Sequence, residues 1–119
     1  MTQKEKDTVF KDLCGRLPYG VEIICKASKI SLTLSAHMLQ KIQKDNNRLE
    51  WKPVLRPLSH MTEREKCAFR QLEFYEGKID EIVDFFNSRH LDYRNLTGKD
   101  LAVIASKETY DIENLEKWY

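Results

Sequence analysis

The chain has 119 residues, 41% of them hydrophobic and 33% charged, with only 4 Gly and 3 Pro. This length suits one domain, and the composition excludes a disordered chain. The net charge of +1 argues against a strongly basic nucleic-acid binder, although residues 1–60 carry +5 and residues 61–119 carry −4. Pairing between the two halves is the simplest interpretation, and a basic face kept for an outside partner is the alternative.

The N-terminus is polar and charged, and no run approaches the ~20 apolar residues of a membrane span. We therefore expect a cytoplasmic protein without membrane contact. Thr2 and Glu5 have capping-box spacing, which predicts a helix over residues 3 to 15. Gly15 and the stretch from Leu17 to Gly20 end it.

Alternating apolar residues predict a β-hairpin over residues 21 to 34. Ser35 is then placed to cap a short helix that carries Met38, Leu39 and Ile42 and ends at residues 45 to 47.

An extended pattern returns over residues 48 to 58. Pro53 and Pro57 cannot donate hydrogen bonds to a neighbouring strand, so this strand is predicted at a sheet edge or leaving the sheet midway. Arg48, Lys52 and Arg56 fall on one face at about 13 Å intervals. Such a basic row suits an acidic protein or a phosphate backbone, and internal pairing with Glu73, Glu76, Asp80 or Asp84 is the alternative.

Two long helices are predicted next. Thr62 and Glu65 form a second capping box before a helix over residues 63 to 76, with Tyr75 on its apolar stripe and Gly77 at its end. An amphipathic helix begins at Ile79. Residues 91 to 105 indicate a turn and a short packed segment.

The predicted fold class is α+β, with a small antiparallel sheet packed on the long helices. We expect residues 1–110 to form the single domain and residues 111–119 to form a loosely docked extension with Leu115, Trp118 and Tyr119.

Three segments together resemble a known family. They are ISLTL at residues 30–34, KPVLRPLSHMTERE at 52–65 and FNSRHLDYRNLTGKDLA at 86–102. They look like short uncharacterised proteins encoded in phages and prophages of gut anaerobes, which carry KPxLRPLSxMTxEE and HxDYRxLxxxxLA segments. The family has no assigned activity, so the resemblance implies a phage context in a bacterial host cell and no mechanism. Where relatives tend to have Gly, this chain has Asn95.

His90, Asp92, Tyr93 and Arg94 form the densest group of reactive side chains. An imidazole near a carboxylate suggests a general base, whereas capping of the preceding helix is the structural alternative. Three scattered cysteines indicate free thiols, and no spacing indicates a metal, a phosphate loop or a cofactor.

The leading hypothesis is a non-catalytic interaction protein that binds a protein partner through the 48–58 edge or the C-terminal aromatic residues. The alternatives are a nucleic-acid-associated protein that uses the basic row and a small enzyme centred on His90 and Asp92. Self-association is left open.

Overall fold

A computed structural model gives the fold and describes residues 1–74 and 79–111. Its helices are α1 (Gln3–Arg16), α2 (Ala36–Lys44), α3 (Glu63–Phe74) and α4 (Ile79–Ser88). Its strands are β1 (Glu22–Cys25), β2 (Ile30–Thr33), β3 (Lys52–Pro57), β4 (Leu91–Asp92) and β5 (Val103–Ile104). The α+β prediction is confirmed. Within the described ranges, no helix combines the length and apolar character needed to span a membrane.

Local capping residues set where the helices begin. Thr2 and Glu5 form the predicted capping box of α1. The Ser35 hydroxyl accepts a hydrogen bond from the Met38 amide at 3.2 Å, and this bond caps α2. At α3, the Thr62 amide donates to Glu65 at 2.9 Å and the Glu65 amide donates to Thr62 at 3.1 Å. The predicted starts of these three helices are therefore confirmed.

The helix ends follow the prediction less closely. Gly15 lies inside α1 rather than at its end. A Cβ atom on Gly15 would lie 3.1 Å from the Asn87 side chain, so the glycine permits a close approach to α4. Tyr75 and Gly77, predicted near the end of α3, lie outside the described residues, as do residues 112–119 of the predicted extension.

The sheet is mixed rather than antiparallel. Its order is β2-β1-β3-β4, and β5 also pairs with β3. The β1–β2 hairpin and the β1–β3 pair are antiparallel, whereas β4 and β5 pair with β3 in parallel. The predicted hairpin is confirmed. The short strands β4 and β5 were not predicted.

The prediction that the third strand lies at a sheet edge is wrong, because β3 pairs with β1 and β4 along one side and with β5 along the other. Pro53 and Pro57 are four residues apart, so both missing N–H groups face the same side of the strand. The Arg56 amide still donates to the His90 carbonyl at 2.8 Å. On the proline side, the Leu55 carbonyl accepts from the Ala105 amide at 2.8 Å. Two prolines are therefore compatible with a central position here.

Apolar side chains are buried on both faces of the sheet. One core joins α1 and α2 to Ile23 and Leu55, and the other contains Val54 and Tyr110. Because successive residues of a strand point to opposite faces, Val54 and Leu55 enter different cores. The strand is therefore buried on both sides, and the predicted exposed basic face does not form along β3.

Candidate functional site

The two segments that carry the family resemblance meet in the fold. Pairing of β3 with β4 places Arg56 beside Leu91 and Pro57 beside Asp92. Because this pair is parallel, the carboxyl ends of both strands lie at the same edge of the sheet. Ligand sites of open α/β sheets form at such ends, where the chains leave the sheet in different directions. This end of the sheet is therefore the candidate site.

A cleft of about 290 Å³ opens at these two strand ends. Its lining comes from both segments and consists of Pro57, Leu58, Ser59, Asp92, Tyr93, Asn95 and Thr97. Leu58 is 41% exposed and forms an apolar wall. Among the described residues, the Ser59 hydroxyl, the Tyr93 hydroxyl and the Asn95 side-chain amide have no hydrogen-bond partner. These three neutral groups are available to a bound molecule.

Asp92 organises the loop that forms one side of the cleft. It is 3% exposed, and its oxygens accept hydrogen bonds from the amides of Leu96 and Thr97, both at 2.9 Å. The Thr97 hydroxyl also donates to it at 2.7 Å. Three donors therefore satisfy the carboxylate inside the protein. Asn95 takes a φ of 57°, a left-handed conformation that Asn and Gly tolerate best.

His90 does not line the cleft. Its ring stacks on Tyr110 with centroids 3.9 Å apart, and its Nδ1 atom is buried without a hydrogen-bond partner in the described structure. Burial, together with the positive charges of Arg16 and Arg56, lowers the pKa of His90 to about 4. The imidazole is therefore neutral at pH 7. No hydrogen bond between His90 and Asp92 occurs in the described residues, so the suggested general-base pair is not assembled.

Arg56 belongs to an internal ion pair. Its guanidinium donates to both oxygens of Glu65, at 2.5 and 2.8 Å, and to the Arg89 carbonyl at 3.0 Å. Arg56 is 5% exposed and Glu65 is fully buried. Burial alone would raise the pKa of Glu65, but hydrogen bonds from Arg56 and Thr62 outweigh it and lower the pKa. This pair ties β3 to the start of α3.

Tyr93 and Arg94 connect the cleft to α1. Arg94 donates to Asp12 at 3.0 Å, and Asp12 also accepts from Arg16 at 2.8 Å. Arg16 is fully buried and donates to the Leu91 carbonyl at 2.7 Å. The Tyr93 ring stacks on Phe86, and the guanidinium of Arg94 lies 4.8 Å from its centroid. These contacts hold the Tyr93 ring in place at the cleft.

The predicted basic row does not form a continuous surface. Arg48 is exposed in the loop before β3, Lys52 is partly buried, and Arg56 is interior. The Lys52 ammonium group lies 3.5 Å from the Asp100 carboxylate, so its ion-pair partner is neither Asp80 nor Asp84. Glu76 and the Glu73 side chain lie outside the described residues. Both Lys52–Asp100 and Arg56–Glu65 join the basic half to the acidic half. Roles in binding for Arg48, Lys52 and Arg56 stay predictions.

Sequence reasoning missed the buried partners of this region. Asp12, Arg16 and Tyr110 support the site from distant segments, and Glu65, which the sequence predicts as a helix cap, also binds Arg56. One signal was available: Asp12 and Arg16 have the i, i+4 spacing of a helical ion pair.

The described part of the chain contains no cluster of three or more His, Cys, Asp or Glu side chains suited to a metal ion. No family model, curated protein or solved structure matches this chain.

Proposed function

We propose that this chain is a non-catalytic interaction protein that holds a side chain of a protein partner in the cleft at the ends of β3 and β4. One observation carries the proposal. The cleft presents free neutral hydrogen-bonding groups beside an exposed leucine, whereas the charged side chains around it are bound within the protein. The site is therefore suited to recognition by shape and hydrogen bonding.

The size of the cleft favours a single side chain. Pockets for drug-sized ligands usually have volumes of roughly 300–1,000 Å³, and this cleft has about 290 Å³. In protein interfaces, one buried anchor side chain often contributes a large part of the binding energy. Leu58 forms an apolar wall, and Ser59 and Asn95 offer donors and acceptors. The anchor that fits best has an apolar body and one neutral hydrogen-bonding group.

The alternatives have weaker support in the geometry. A nucleic-acid site along β3 needs Arg56 on the surface, and it is buried. An enzyme centred on His90 and Asp92 needs the two side chains to act together, but His90 stacks on Tyr110 and Asp92 binds its own loop. The setting that we propose is the cytoplasm of a bacterial host cell, in a phage or prophage context, because the family resemblance supports it.

The test is selection of binding peptides from a displayed random library. Wild-type protein serves as bait, and Ser59→Trp serves as a counter-bait because its indole fills the cleft. Ser31→Trp is the matched control, since Ser31 is exposed on β2, two strands from β3. We expect peptides that bind wild type and Ser31→Trp but lose at least tenfold in affinity for Ser59→Trp.

Chemical-shift changes on binding should lie at residues 57–59 and 92–97. Equal melting temperatures of the two Trp variants establish that the fold is intact. Peptides that bind Ser59→Trp as tightly as wild type would refute the cleft as the binding site, and so would a failure to select any peptide.

A further inference from the structure

Four of the eleven basic residues of the first half lie on segments at the other end of β3 from the cleft. Three segments meet there: the hairpin turn 26–29, the end of α2 and the loop 45–50. The Cys25 thiol donates to the Leu49 carbonyl at 3.3 Å, and Cys25 pairs with Ile30 across the hairpin. The Asn47 amide donates to the Ile42 carbonyl of α2 at 2.8 Å. We call the surface formed by Lys26, Lys29, Ile30, Lys44, Arg48 and Leu49 the basic end.

The cations of the basic end are not neutralised by the protein. Lys26, Lys29, Lys44 and Arg48 are all exposed, and none has an ion-pair partner among the described residues. Two acidic residues share the same loop. The Glu50 carboxylate accepts a hydrogen bond from the N-terminal ammonium group at 2.6 Å. Asp45 is then the one remaining acidic residue of this loop, against the four cations. The local excess of positive charge is therefore available to a partner.

Two aliphatic side chains lie among these cations. Ile30 is 50% exposed and Leu49 is 49% exposed. Exposed apolar residues framed by polar ones are typical of an interface with a small apolar centre. The hydrogen bond from Cys25 holds the loop that carries Leu49 beside the strand pair that carries Ile30.

We propose that the basic end binds an acidic protein segment that carries an aliphatic side chain. Charge complementarity selects the acidic segment, and Ile30 with Leu49 receives the aliphatic group. A single-stranded nucleic acid fits less well, because such sites stack bases on exposed aromatic rings. The aromatic residue next in the chain, Trp51, is 6% exposed and belongs to the core. This surface is separate from the cleft and does not depend on the proposed function.

The probe is a short fluorescein-labelled peptide of Glu and Asp with one central Leu, and fluorescence anisotropy measures its affinity for the full chain. Lys26→Glu with Arg48→Glu should weaken binding at low salt at least about tenfold. The matched control is Lys99→Glu with Lys107→Glu, two exposed lysines of the other half, which changes the net charge equally and should leave affinity unchanged. Leu49→Ser, or Ala in place of the peptide's Leu, should weaken binding roughly fivefold.

Three further probes separate the classes of partner. A single-stranded oligonucleotide of equal charge and vesicles with phosphatidylserine should bind more weakly than the peptide. Ser59→Trp should bind the peptide like wild type, which keeps this result distinct from the test of the cleft. The proposal is overturned if both double variants lose affinity equally, if replacing Leu has no effect, or if the oligonucleotide or the vesicles bind more tightly.

Discussion

Burial of neutral His90 makes the stability of this protein depend on pH. In the folded chain His90 is 3% exposed, and its pKa falls from 6.5 to about 4. Between pH 6.5 and about 4, His90 therefore binds a proton in the unfolded chain but not in the folded chain. The titration of His90 therefore leaves the free energy of unfolding unchanged above pH 6.5 and lowers it as the pH falls from 6.5 towards 4.

The size of the effect follows from the two pKa values. Each pKa unit corresponds to about 1.4 kcal/mol, so the change from 6.5 to about 4 predicts a loss of about 3 kcal/mol at pH 4. Small domains are stable by only about 5–15 kcal/mol, so this loss is measurable. Burial is the main cause of the lowered pKa, and the charges of Arg16 and Arg56 add to it.

The experiment compares wild type with His90→Asn by urea unfolding at several pH values from 7 to 4. Asn is the suitable replacement because residue 90 has a φ of 57°. The variant loses the ring contact with Tyr110 and should be less stable than wild type at pH 7. From pH 7 to pH 4 its free energy of unfolding should fall by about 3 kcal/mol less than that of wild type. Carboxylates titrate in both proteins and cancel in the comparison. Parallel pH profiles for the two proteins would contradict the link between His90 protonation and stability.

Two further predictions concern buried polar contacts. Arg56→Met leaves the Glu65 carboxylate buried without its cation and should lower the unfolding free energy by about 3–5 kcal/mol, whereas Arg56→Met with Glu65→Met should lower it less. Urea unfolding measures both, and a larger loss in the double variant contradicts the prediction. Tyr110→Phe removes the hydroxyl that donates to the Val54 carbonyl at 2.5 Å and accepts from the Glu22 amide at 2.9 Å, and should cost about 1–3 kcal/mol. Hydrogen exchange at Glu22 should become faster, and an unchanged rate would count against this role.

Lysine and arginine positions show how far sequence alone could locate the candidate surfaces. Arg48, Lys52 and Arg56 have the spacing of a row, but spacing does not reveal that β3 is covered on both faces. Arg56 is buried because Glu65 reaches it from the start of α3. Arg48 is exposed, and its neighbours at the basic end are Lys26, Lys29 and Lys44 from other segments. The cleft likewise combines residues from two segments more than thirty positions apart.

Features that depend on neighbours within a few residues could be predicted from the sequence. Capping boxes at Thr2 and Thr62 and the alternation of the hairpin act through local hydrogen bonds and local periodicity, so these elements are where the pattern predicts them. The place of β3 in the sheet could not be predicted, because its partners β4 and β5 have two residues each and no detectable period. The burial of the charged groups could not be predicted either, since it depends on partners that folding brings together.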